Sequence, residues 1–143
     1  MASFNKIHAF VEHLAEKVHN LGADVLKELL SNAAPDADLD SVKADLTSEL
    51  GTAGGYTSGG GTPTISSSAE TAGTYKLVLA DLVFTASGGS IGPFRYVVLY
   101  NDTPSSPADP LIGWWDYGSS ITLADTETFT VDHDGTNGVI QIA

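Results

Sequence analysis

The chain contains no cysteine, which removes disulfides, thiolate nucleophiles and sulfur-ligated metals together and leaves the compartment open. Basic residues are scarce: six Lys+Arg stand against 18 Asp+Glu, a formal net charge of −12 at pH 7. The six (Lys6, Lys17, Lys27, Lys43, Lys76, Arg95) never come closer than ten residues apart. Nucleic-acid binding draws on clustered cations that displace counterions, so the spacing argues against DNA or RNA as a partner. The acidity reads as solubility at high local concentration. No apolar run reaches 18 residues, so no membrane span is predicted. The N-terminus alternates apolar with charged residues, which argues against a secretory signal.

Motifs of chemistry are missing as well. His8, His13 and His19 stand five and six residues apart; on one helix they would face different directions, unlike the i, i+4 pair of a zinc helix. They read as surface histidines. Asp36, Asp38 and Asp40 resemble the opening of a calcium loop, but Ser41 stands where Gly is needed and Thr47 where the bidentate Glu belongs. The glycines of Gly54-Gly55-Tyr56-Thr57-Ser58-Gly59-Gly60-Gly61 have no following Lys and no preceding strand, so no phosphate loop is met. No Gly-x-Ser-x-Gly elbow occurs. Asp132-His133-Asp134, followed by Gly135-Thr136-Asn137-Gly138, reads as a turn whose Asx side chains bond their own backbone. No active site, cofactor site or metal site is expected.

What is present centres on Gly92–Asp102 and Pro110–Gly118, which hold both tryptophans and the only arginine. Phe94, Tyr96, Val98 and Tyr100 alternate with Arg95, Val97 and Leu99, the period of a strand; Leu111, Gly113, Trp115 and Tyr117 alternate with Ile112, Trp114 and Asp116. Pro104, Pro107 and Pro110 break the chain between them, giving two antiparallel strands joined by an exposed loop. Adjacent Trp114 and Trp115 must point to opposite faces, one into the core and one outward.

Upstream, Phe4, Ile7, Val11, Leu14, Val18 and Leu21 recur at alternating spacings of three and four, with Phe10 beside them. This predicts a helix over Ser3–Leu21, with Ser3 as N-cap and Gly22 as C-terminal cap. Its stripe covers a sheet or forms a small coiled-coil seam. Asp24–Asn32 fits either helix or strand, and the propensities of Leu, Lys and Glu favour helix. Asp36–Leu50 is weakly periodic and fits a short exposed helix. From Gly51 the composition turns to Gly, Ser and Thr, and short strands separated by turns follow: Thr62–Ser67, Thr74–Leu79, Leu82–Ala86, Phe94–Tyr100, Leu111–Tyr117, Ile121–Leu123, Thr128–Asp132 and Val139–Ile142. At 143 residues and 42% hydrophobic content one domain can bury its own core. The expected fold is mainly β: an antiparallel, jelly-roll-like β-sandwich over 51–143, preceded by an N-terminal helical region over 1–50 that packs on it.

The run Phe84-Thr85-Ala86, Ile91–Asp102, Pro110–Gly118 and Phe129-Thr130-Val131 resembles small virion proteins of tailed bacteriophages. In those, a strand ends in Val-Leu-Tyr-Asn/Asp-Asp, a Pro-Leu-Ile-Gly strand follows, and an aromatic-Asp-aromatic-Gly turn precedes a closing strand. Leu14–Leu30 and Gly54–Gly60 are similar too, so the resemblance spans nearly the whole chain, through structural rather than chemical motifs. In such relatives the segment matching Val25–Leu30 is a strand, although Leu26-Lys27-Glu28-Leu29-Leu30 departs from their β-branched pattern. The resemblance implies a non-enzymatic capsid decoration (cement) protein on the virion exterior, made in the host cytoplasm. Its implied partner is the major capsid protein, and its implied state a homotrimer, with neither nucleic acid nor membrane bound. A tail or fibre component is one alternative; a carbohydrate-binding module, with Trp114 or Trp115 and Tyr117 stacking on sugar, is another. The candidate interface residues are Phe4, Ile7, Val11, Leu14, Trp114, Trp115 and Tyr117.

Overall fold

The computed structural model describes residues 2–143. Nine strands and one short helix follow in order: β1 Phe4–Lys6, α1 Ala9–Ala15, β2 Leu26–Ser31, β3 Ile65–Thr71, β4 Thr74–Leu79, β5 Leu82–Thr85, β6 Ile91–Asn101, β7 Leu111–Leu123, β8 Thr128–Val131 and β9 Ile140–Ile142. The fold is mainly β with antiparallel sheets in a sandwich-like arrangement. The central sheet has the order β1-β7-β6-β2; β3-β4-β9 and β5-β8 form two smaller sheets.

Its spine is the expected β6–β7 pair, in which Val97 faces Trp115 and Val98 faces Trp114. Val97 to Asn101 are buried consecutively, so both faces of the sheet are covered there. One apolar cluster joins Leu26, Leu29, Val98, Leu99 and Ile112 of the central sheet to Leu77, Leu79 and Ile140 of the three-stranded sheet. A second joins Leu30, Phe94, Val97 and Leu123 to Phe84, Val131 and Tyr56. The strands expected separately at Leu111–Tyr117 and Ile121–Leu123 are one continuous strand, because β6 runs long enough to pair with both: Ile91 lies opposite Leu123. The strand expected at Thr62–Ser67 begins instead at Ile65 and runs to Thr71, where it can pair with β4.

The predicted helix over Ser3–Leu21 is corrected to Ala9–Ala15. Phe4–Lys6 is pulled into β pairing with β7, and the Ile7 N–H donates to the Ile112 carbonyl at 3.0 Å. Ser3 therefore caps nothing, and His8 takes the N-cap position. At the other end Lys17 adopts a left-handed φ of 66°, and the Val18 N–H closes on the His13 carbonyl, so the chain has reversed before Gly22. The heptad stripe is thus shared between a strand and under two turns of helix. Phe10 is the buried helical side chain, whereas Val11 is 51% exposed.

Of two further segments, Asp24–Asn32, which fits helix or strand with propensity on the side of helix, resolves as strand, and Asp36–Leu50, expected as a short helix, is not one. Leu26–Ser31 is a strand paired residue for residue with Tyr96–Asn101. Five of its six side chains are buried, and tertiary burial outweighs the few tenths of a kcal/mol per residue in helix propensity. Asp36–Leu50 holds only a 3-10 turn at Lys43–Asp45. Its remaining backbone is tied to the sheets instead, as where the Leu50 N–H donates to the Leu30 carbonyl. The first fifty residues are therefore not a helical arm: they supply both edge strands of the central sheet.

Glycine is required at two close approaches. Gly60, at φ +79°, lies against the Glu28 backbone, where a Cβ would overlap the carbonyl. A Cβ at Gly113 would collide with the Phe4 ring and the Asn5 carbonyl. Gly113→Ala is expected to detach β1, lowering stability by roughly 1–3 kcal/mol of overpacking strain, with faster proteolysis of the first eight residues than in wild type as the direct readout. Trp114 and Trp115 do lie on opposite faces, but both are half-buried, and only Trp115 packs on both apolar clusters. Trp115→Ala should cost about 3–5 kcal/mol in chemical denaturation and Trp114→Ala clearly less; equal losses would contradict this packing.

Candidate functional site

The central sheet is wider than either small sheet, and among the described residues its edge strand β1 has no strand partner beyond it. The neighbouring three-stranded sheet ends on β9, which is equally unpaired on its outer side. A furrow runs along these two edges. At one end a cleft of about 320 Å³ lies between α1 and β9, walled by Phe10, Val11, Leu14, Ile140 and Ile142 with Lys6. In the middle, a cleft of about 180 Å³ is bordered by Phe4, Trp115, His133 and Val139, with Asp132 and Asp134 on the loop side. At the far end, Trp115, Tyr117, Phe129 and Val131 line about 170 Å³ with Asp132 at the rim. The clefts share walls, Phe4 and Val139 joining the first two and Ala2 and Trp115 the last two, so the furrow is continuous.

Five of the seven candidate interface residues meet here: Phe4, Val11, Leu14, Trp115 and Tyr117. Phe4 and Trp115 are register partners with ring centroids 5.0 Å apart. Tyr117 is 54% exposed and meets Phe129 edge-on at 5.5 Å. Ile7 is not part of the surface, because its hydrogen bond to β7 turns it fully into the core. Trp114 lies on the opposite face of β7 and packs on the core from there. No carboxylate lines the α1–β9 end, which is unusual ground on a chain of net charge −12.

Sequence reasoning missed two polar clusters. His13 and His19, expected to face apart on one helix, are brought to 5.9 Å between ring centroids because the chain reverses at Lys17. His19 is buried, and that burial, reinforced by His13, pushes its pKa down to about 4 against the opposing pull of Asp24. Asn101 holds this corner: its Nδ2 donates to Asp24 Oδ2 at 2.7 Å and lies 3.1 Å from His19 Nδ1. Among the described residues, no group of three or more His, Cys, Asp or Glu is arranged to hold a metal ion.

The second cluster lies beneath the furrow. Glu28 of β2 and His133, from the loop between β8 and β9, are buried together, with Oε1 2.8 Å from Nε2. The Asx turn expected at Asp132-His133-Asp134 does form: Asp134 Oδ1 accepts the N–H groups of Thr136 and Asn137, both at 2.8 Å. Those bonds hold the Asp134 carboxyl below its usual range. The histidine inside it, however, turns inward. The one sequence signal was Glu28 itself, a charged residue inside the apolar run Val25–Leu30. The acidic loop resembling a calcium site uses its carboxylates internally: Asp36 accepts the Asp38 and Leu39 N–H groups, and Asp45 those of Ser41 and Val42.

No family model, curated protein or solved structure matches this chain, so the reading of the furrow rests on its own geometry and chemistry.

Proposed function

We propose that the chain is a non-enzymatic structural protein of a bacteriophage virion. In this reading it is a capsid decoration protein that docks on the major capsid protein and stabilises the shell. The observation that carries the reading is the furrow between two unpaired strand edges, apolar and free of carboxylates at its α1–β9 end on a chain of net charge −12. Unpaired edges and an apolar trough suit an extended segment of a shell subunit, which can add as a strand and seat alternate side chains. The remaining acidic surface faces solvent and keeps the protein soluble at high copy number. Assembly as a homotrimer over a symmetry axis would let several modest contacts act together.

A carbohydrate-binding module is the second reading, favoured by one observation. Tyr117 is exposed beside Phe129 and Trp115, with Asp132 in the same cleft, an aromatic platform with a polar rim. The two readings use opposite ends of the furrow and separate by mutation.

Val11 and Ile142 are exposed apolar residues at the α1–β9 end. Val11→Asp with Ile142→Asp should leave folding stability within about 0.5 kcal/mol per site. Rebinding to stripped shells should weaken about tenfold or more, as expected for loss of anchor contacts. Because the contact is apolar, raising salt from low to about 0.15 M, where charges are screened beyond ~8 Å, should weaken attachment only modestly. Stripped particles should lose DNA at lower temperature while adsorbing normally to cells. Full thermal stability of stripped particles with lost adsorption, abolished by Tyr117→Ala, would transfer the assignment to sugar binding or to a tail role.

A further inference from the structure

We propose that Glu28 and His133 form a proton-operated clasp: while the pair shares one proton, the loop between β8 and β9 stays shut against the central sheet. Loss of that proton on the alkaline side loosens the loop and the furrow wall it forms. The consequence for docking rests on the reading of the furrow given above; the clasp itself does not.

The geometry is that of a latch between two separately anchored parts. Glu28 is fixed by its backbone, whose N–H donates to the Gly61 carbonyl at 2.8 Å and whose carbonyl accepts the Gly61 N–H at 2.9 Å. The His133 N–H donates to Asp81 Oδ1 at 2.9 Å, and its ring packs on Trp115 at 5.4 Å. The two side chains are 0% and 1% exposed. Oε1 lies 2.8 Å from Nε2 without forming a well-aligned hydrogen bond, and Oε2 has no donor among the described residues. A buried carboxylate needs several donors or a counter-charge. Here the single counter-charge is the proton on the pair.

The surrounding ionisable groups do not replace it. Opposite Glu28 stand Leu99 of β6 and Gly61, which carry no charge. Lys27 lies on the other face of β2 and reaches Asp102 at 3.4 Å; Lys6 shares the face of Glu28 but sits on the far edge strand. Around His133 are Asp81, Asp132 and Asp134, all acidic, and Lys76 reaches instead to the Thr136 carbonyl at 3.4 Å.

The direction follows by linkage. Unfolded, a carboxyl and an imidazole together hold one proton between roughly pH 4.5 and 6.5 and none above. Folded, the proton-free pair is a lone buried anion, so the proton is retained to higher pH. Burial raises the Glu28 pKa, outweighing the lowering by His133. A raised folded-state value contributes stability that is present at low pH and lost as pH rises through it. Loop closure should therefore weaken above about pH 6.5, approaching tenfold per pH unit for one linked proton.

The test is amide hydrogen exchange on the purified protein between about pH 4 and 9, corrected for the intrinsic exchange rate at each pH. Wild type should lose protection in residues 132–139 with that slope while Val97–Asn101 of β6 keeps its protection. Glu28→Gln should abolish the slope, and His133→Gln should move its onset toward the ordinary carboxylate range. A flat wild-type profile, or the same slope in Glu28→Gln, would overturn the clasp. If Glu28→Gln does not fold, the carboxyl carbon shift of Glu28 in wild type decides. Titration above the ordinary range supports the clasp, and titration within or below it overturns the clasp. None of these measurements involves a shell, so failure of docking and failure of the clasp are separate results.

Discussion

The structure depends on the antiparallel pairing of β6 with β7, and on the fact that its centre is apolar on both faces. Val97–Leu99 and Leu111-Ile112 offer no polar side to water, so a two-layer solution with one solvated face is closed to this sheet. Cover must come from both directions, and the rest of the chain is arranged to provide it. The small β3-β4-β9 and β5-β8 sheets contribute Leu77, Leu79, Ile140, Phe84 and Val131 to its clusters. The N-terminal segments supply its edges and bring Ile7 and Phe10 into the core. Even the glycine-rich stretch takes part: the Tyr56 hydroxyl accepts the Leu30 N–H at 3.0 Å, and Tyr100 donates to the Gly59 carbonyl at 2.7 Å.

The furrow is the geometric remainder of that arrangement. A four-stranded sheet covered by a three-stranded and a two-stranded one does not close at its margins. The β2 edge is sealed by backbone bonds from Gly61 and Leu50, whereas the β1 edge has no further strand beside it among the described residues. Open edges are a ready template for unselective strand pairing. Here β1 and β9 are each three residues long, short enough to resist unselective pairing, and Lys6 stands at the margin. A surface that is apolar, bounded by short edges and free of carboxylates at one end is suited to a specific partner.

Buried polar groups mark the joints where the layers meet. Asn101 and Asp24 tie the reversal after α1 to the end of β6, and Glu28 with His133 ties the β8–β9 loop to β2. Removing one partner of such a pair leaves an uncompensated buried group, and this is far more damaging than the pair is stabilising. By contrast, the bidentate Arg95–Asp116 contact, at 2.7 and 2.9 Å, is more than a third exposed and adds little beyond fixing the outer end of β6 against β7.

Alternation over Phe94–Tyr100 and Leu111–Tyr117, with prolines between them, was enough to locate the central hairpin. Regular turn chemistry after Gly51 was enough for most remaining strands and for a mainly β fold, because period-two burial and Gly/Asn/Asp turns are local properties of the chain. The structure brings Phe4, Val11 and Leu14 of the stripe to one furrow, yet the helix meant to carry them is mostly absent. An i, i+3, i+4 pattern is satisfied equally by a short strand followed by a short helix, and the pairing of Phe4–Lys6 with β7, continued by the bond from Ile7 to Ile112, selects the latter. The strand at Leu26–Ser31 ran against its own propensity, since a few tenths of a kcal/mol per residue yield to burial on both faces. Glu28 and His133 are 105 positions apart, and no local pattern relates them. Sequence determined which segments are extended and which side chains are apolar, through short-range sterics and periodicity. Tertiary structure alone decided which edges stay open and which charges meet in the core, because those are long-range contacts fixed by how the sheets stack.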